Sequence, residues 1–328
     1  MMKAKYYRFI YRSLEGGMWC SGSMAEEKAE AGKDKEDQLF HFLYLCGGSG
    51  QSCQPVEGKN GHFHLLMMAD FRLQTVRQVL QTLKEYSVDE VMIPQMEKET
   101  LEILAQEYER DQDAAEQEIQ FLKNPATYLR DCKVAQVNEV KERETFRKGN
   151  RIFEVFCMGE GRERTLTLFH GSVDTDPQKE ECIMNVKPMT AFRPCSPFVN
   201  PQNLNCEMRC MLYNDFTQCK RHNQKSGTYF VDGHLLIGSC KAAENVGDIR
   251  KALEKEWEKI RFVCLPEDGW NEQLLEIGTD ETARYFMGMD KVKDTVIKAI
   301  LKDNPYNSFV LLGEKTGLCA SGYYTDRL

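Results

Sequence analysis

Apolar and polar positions along the 328-residue chain follow two rhythms. Alternating or near-continuous apolar runs predict strands at Tyr6–Tyr11, Leu39–Leu45, Gly61–Met68 and Val88–Ile93, the last closed by Pro94. Between them, Val76, Val79, Leu80 and Leu83 recur at the i, i+3, i+4, i+7 spacing of a buried helical stripe, which predicts a helix over Thr75–Tyr86. A long acidic helix is expected from Glu97 to about Leu122, with Leu101, Leu104 and Tyr108 inward, broken by Asn124-Pro125. Three strands follow at Val134–Val140, Arg151–Cys157 and Arg164–Phe169.

The second half repeats the order. Strands are expected at Asn205–Leu212 and Gly227–Ile237, then a helix over Gly247–Ile260 on Ile249, Leu253, Trp257 and Ile260. A strand at Arg261–Leu265, a helix at Lys291–Leu301 and a closing strand at Ser308–Leu312 complete it. Strands early, then strands and helices alternating twice, predict one layered α/β domain over residues 1–328. Two stretches fall outside the pattern: a charged loop at 21–38, too poor in apolar residues to pack, and an irregular, proline-punctuated excursion at 171–203.

Composition narrows the class. With 41% hydrophobic and 29% charged residues the chain reads as globular, and no apolar run reaches the roughly 18–20 residues of a spanning helix. The N-terminal segment lacks a secretory h-region, so no membrane association and a cytoplasmic location are expected. A net charge of −8 with no basic block argues against a broad nucleic-acid surface. The 13 cysteines include no C-x-x-C pair, and several lie in apolar runs (Cys46, Cys157, Cys206, Cys210, Cys264), which suits buried free thiols.

Motifs that carry chemistry are sparse. Gly47-Gly48-Ser49-Gly50 follows a strand but lacks the continuation of a phosphate loop, and Gly313–Gly317 lacks its first glycine. His62 and His64 alternate onto one strand face at a spacing a metal pair can use, yet no acid or third histidine is near them in sequence. His170-Gly171-Ser172-Val173-Asp174 ends a strand without the Gly-x-Ser-x-Gly elbow of an exposed nucleophile.

The order of elements over about residues 39–312 resembles the metallo-β-lactamase family, an αββα four-layer sandwich. Leu43–Cys53 is similar to that family's first strand and glycine loop, Leu65–Asp70 to the next strand, and Val76–Ile93 to the helix and strand before its His-x-His-x-Asp-His metal loop. That loop here reads Pro94-Gln95-Met96-Glu97-Lys98-Glu99. Leu235–Ser239 resembles the strand whose final aspartate bridges two metals, with Ser239 in its place. The Pro-His-His-Gly turn becomes Pro266-Glu267-Asp268-Gly269.

The resemblance thus implies a family member without its metal ligands and without a cofactor. The expected cleft comprises Gln95, Glu97, His170, Ser239, Glu267 and Asp268. The expected function is not enzymatic: a binding, sensing or scaffold module in a larger assembly, with a protein partner and room for a small ligand. The alternative is a hydrolase with a site rebuilt from carboxylates and a metal, or from a Cys/His pair.

Overall fold

A computed structural model describes residues 4–14, 17–25, 39–48, 61–111, 113–148, 151–172, 180–188, 233–239, 244–260, 262–266, 273–274, 285–287, 308–309 and 318–326. Two mixed sheets organise them. The first contains β1 (Ala4–Leu14), β2 (Gly17–Ala25), β3 (Leu39–Cys46), β4 (His62–Met68), β5 (Ser87–Pro94), β6 (Gln136–Val140), β10 (Glu180–Pro188) and β15 (Leu318–Asp326), in the order β10-β15-β1-β2-β3-β4-β5-β6. The second contains β7 (Arg143–Lys148), β8 (Arg151–Met158), β9 (Thr165–Ser172), β11 (His234–Ile237), β12 (Phe262–Cys264), β13 (Tyr285–Met287) and β14 (Ser308–Phe309), in the order β14-β13-β12-β11-β9-β8-β7.

Each sheet is half parallel and half antiparallel. β3, β4, β5 and β6 run parallel to one another, as do β11 to β14. Hairpin-type pairings β1–β2, β2–β3, β7–β8 and β8–β9 are antiparallel. The sheets touch through side chains and backbone. Phe42 packs edge-on against Phe153 at 5.4 Å, Tyr44 donates its hydroxyl proton to the Leu166 carbonyl at 2.6 Å, and the Leu166 amide donates to Ala69 at 2.7 Å.

Two apolar clusters sit with the helices. One joins Leu43, Leu66 and Val91 to Val76 and Val79 of α1 (Leu73–Glu85), with Phe121 of α3 (Glu116–Lys123) and Leu129 of α4 (Pro125–Asp131). The other joins Phe156, Phe169 and Val263 to Ile249 and Leu253 of α5 (Val246–Leu253) and to Trp257. At about 1.5–3 kcal/mol for each large side chain removed from water, these clusters dominate the favourable side of folding. Among the described residues, no helix is long and apolar enough to cross a membrane.

Several expectations need correction. The long helix from Glu97 is two helices, α2 (Lys98–Arg110) and α3, because Asp111 turns the chain with its own side chain, accepting the Asp113 amide at 3.0 Å. The break at Asn124-Pro125 holds, but it also opens a further helix, α4: Asn124 caps the Thr127 amide at 3.1 Å and Pro125 fills the first turn. β7 was not foreseen. It is a polar edge strand whose apolar contact is Phe146 stacked on Phe153 at 4.8 Å, too little for a periodic signal.

The first five residues of the expected 21–38 loop belong to β2, which runs to Ala25 along β3. The 171–203 excursion holds β10, which pairs with β15, itself a run of small and polar residues. The helix expected through Ile260 leaves α geometry at Glu254, whose φ is +37°, and continues as a 3₁₀ turn over Glu254–Lys259. The expected strand at Asn205–Leu212 and helix at Lys291–Leu301 lie outside the described residues.

Candidate functional site

Parallel strands present their carboxyl ends together, the place where open α/β sheets bind ligands. β3 ends at Cys46 and Gly47, β4 runs into Ala69 and Asp70, and β11 runs into Gly238 and Ser239. A cavity of about 420 Å³ opens there, lined among others by Asp70, Arg72, Tyr108, Arg162, Thr165 and Ser239. Its size suits a small ligand.

The cleft floor is a closed polar network. Asp70 is 4% exposed, and its Oδ2 accepts from Arg72 Nε at 2.7 Å, making a charge-assisted pair. Its Oδ1 accepts the Arg72 amide at 3.1 Å and the Thr75 hydroxyl. The Thr75 oxygen in turn accepts the Gly47 amide at 2.6 Å. Cys46 Sγ lies 2.6 Å from the Gly238 carbonyl, 2.9 Å from Arg72 Nη2 and 3.3 Å from Asp70 Oδ2. Gly238 is required by space: a Cβ there would sit 2.5 Å from both Cys46 Sγ and the Tyr44 hydroxyl.

Electrostatics keep the thiol protonated. Burial first, and the Asp70 carboxylate second, push Cys46 well above its ordinary value, and the Arg72 charge does not outweigh them. A nucleophilic cysteine needs the opposite shift. Tyr108 is raised as well, by burial and then Asp70, and it donates its proton to the Phe71 carbonyl at 2.6 Å.

The sequence-predicted residues separate. Ser239 lines the cavity, with its Oγ 3.4 Å from that of Thr165. Gln95 is held nearby by backbone: its amide donates to Val140 at 2.8 Å and its carbonyl accepts from Arg164 at 2.8 Å. Glu97 is exposed at the start of α2, its carbonyl accepting the Leu101 amide at 3.1 Å. Glu267 and Asp268 lie outside the described residues.

His170 belongs elsewhere. It sits five residues beyond Thr165 on β9, about 17 Å away at strand rise. There it is fully buried against Phe42, Phe153 and His234, with Arg151 Nη2 at 3.4 Å from its Nδ1. Burial, then His234 and Arg151, lower it well below the usual imidazole value.

The amino ends of β4 and β5 hold a second polar group. His62 bonds Ser87 Oγ through Nδ1 at 2.8 Å and Asp89 Oδ2 through Nε2 at 3.0 Å. The rings of His62 and His64 meet at 4.7 Å, and His64 Nδ1 accepts the His41 amide at 3.1 Å. Burial, then His64 and His62, lower His41 to about 4. The acid missing from the sequence reading is Asp89, brought alongside by the parallel register that pairs His62 with Ser87. Asp70, Arg72 and Cys46 were also absent from the predicted cleft. Their signal was local, a short polar run directly after a buried apolar strand.

No protein-family model matches the chain. No curated protein matches it either. Among solved structures, CmlA, a diiron β-hydroxylase from Streptomyces venezuelae, is similar at 11% identity and a TM-score of 0.33, covering 98% of this chain and 54% of CmlA. The chain thus spans about half of that protein's length. A protein of unknown function from Enterococcus faecalis is similar at 10% identity and a TM-score of 0.24, covering 94% of this chain and 88% of its own.

Proposed function

We propose that the chain is a metallo-β-lactamase-like αββα sandwich whose cleft binds a ligand or partner instead of hydrolysing one. Support for the fold is the pairing of two half-parallel sheets, in face-to-face contact, with separate helix clusters on each. The observation that carries the function is the closed Asp70 network. The buried carboxylate of the cleft is already neutralised by Arg72 and saturated by Thr75 and the Arg72 amide.

The donors do not fit the metals that such a fold implies. Zinc or iron there needs imidazoles or free carboxylates converging on one point. Among the described lining residues there is no histidine, and the buried acid is paired. Cys46, as a buried neutral thiol, does not supply a nucleophile. What remains is recognition. Arg72, Arg162, Glu107 and Glu163 line the cavity with the Ser239 and Thr165 hydroxyls, Arg162 paired with Glu107 at 3.2 Å. A lining of both charges and hydroxyls suits a small polar ligand, or a polar segment of a protein partner in an assembly.

Two measurements test this reading. The protein, loaded in turn with zinc, manganese and iron(II), should not turn over chromogenic β-lactam, ester or phosphodiester substrates above buffer. Titration calorimetry against a panel of amino acids, sugars and nucleotides should find a saturable ligand that Ser239→Trp excludes. Turnover that disappears in Asp70→Asn would overturn the proposal in favour of a rebuilt hydrolase.

A further inference from the structure

Three of the chain's six histidines, His41, His62 and His64, meet at the amino ends of β3 and β4. Asp89 joins them from β5, and the ligand atoms of His62, His64 and Asp89 all lie within 4.8 Å of one another. The group stands about 20 Å along β4 from the cleft, six strand residues away at ordinary rise. We propose that His62, His64 and Asp89 form a binding site for a divalent transition cation of the zinc class, separate from the cleft.

Donor chemistry sets the class. Two imidazoles and one carboxylate suit zinc, cobalt or nickel, and leave a fourth position for water. His62 is already arranged as a ligand. Its Nε2 points at the Asp89 carboxylate at 3.0 Å and, since a carboxylate only accepts, donates a proton there that an ion would displace; its Nδ1 lies 2.8 Å from Ser87 Oγ, a hydroxyl placed to accept from Nδ1–H once Nε2 is a ligand. Donors around a tetrahedral ion stand about 3.4 Å apart, given bonds of about 2.0–2.1 Å, so the group must contract by about 1.4 Å at most. The His62 and Asp89 side chains are 29% and 56% exposed and are free to turn by that amount. His64 joins by exchanging the His41 amide at Nδ1 for the ion, one neutral hydrogen bond for a coordinate bond.

The two adjacent strands share an irregularity that makes room. Members of the apolar core step from Phe63 to Leu66 on β4 and from Val88 to Val91 on β5, a spacing of three in place of two. His64 and Asp89 lie in the skipped stretch of each strand, outside that core.

Cobalt(II) titration of the full chain, followed by visible ligand-field absorption, tests the site. One equivalent should bind without a thiolate charge-transfer band, and zinc should displace it. His62→Gln and Asp89→Asn should each weaken uptake tenfold or more, while Glu102→Gln, an exposed acid on α2, should not. Thermal melts give a second readout: zinc should raise the Tm of the parent protein and leave that of the His62→Gln/Asp89→Asn double variant unmoved. No cobalt uptake by the parent, or uptake unchanged in the folded double variant, would overturn the proposal.

Discussion

An aspartate stands by each end of β4, and the two have opposite chemistry. At the carboxyl end Asp70 is sunk beneath the surface and saturated by Arg72, Thr75 and a backbone amide. At the amino end Asp89 is more than half exposed and bonds His62, itself a metal-type donor. A buried carboxylate must be neutralised where it stands, and the nearest cation is built into the same chain two residues on. An exposed carboxylate needs no built-in cation and stays accessible to an ion from outside. The cleft's buried acid is closed by the protein's own ion pair, and donors suited to a metal gather at the other end.

Substitutions and pH should separate the ends by size of effect. Asp70→Ala removes the acceptor for Arg72, Thr75 and the Arg72 amide together, and should cost about 4 kcal/mol in urea unfolding. A loss below about 1 kcal/mol would mean that the network does not hold the cleft floor. Acidification comes next. His170 and His234 are both lowered well below 6.5, chiefly by burial. Below that value the unfolded chain takes up protons that the folded one refuses, so stability falls as pH falls. With unfolded values near 6.5, these two histidines together predict a loss of about 2 kcal/mol from pH 6.5 to 5.5, and His234→Gln should halve their share of it.

Gly238→Ala should cost about 2 kcal/mol through overpacking against Cys46 and Tyr44. Adding Cys46→Ala should recover part of that loss, a coupling that a double-mutant cycle reads directly. Smallest is Asp89→Asn in the absence of metal. Its pair with His62 is solvent-exposed, so unfolding should move by less than about 0.5 kcal/mol. A large effect there would make the amino-end group a structural device and erase the contrast.

Much of the fold was legible where burial imposes a rhythm. The stripe of Val76, Val79 and Leu80 marked α1, and the apolar runs at 39–45, 61–68 and 88–93 marked β3, β4 and β5. The edge strand β7 was illegible, because it is mostly exposed and carries mainly polar residues. The candidate site was legible only in part. Ser239, named from the resemblance of Leu235–Ser239 to a ligand-bearing strand, lines the cavity, while His170 lies away from it: a strand-end histidine looks the same in sequence whether it faces solvent or the space between two sheets. Asp89 was missed for a plainer reason. Its partnership with His62 spans 27 residues and exists only through strand register.

Zinc-edge anomalous diffraction from crystals grown with one equivalent of zinc tests the contrast most directly. The account predicts one anomalous peak, between His62, His64 and Asp89, and none beside Asp70 and Ser239. A peak in the cleft, or no peak at the histidines, would contradict it.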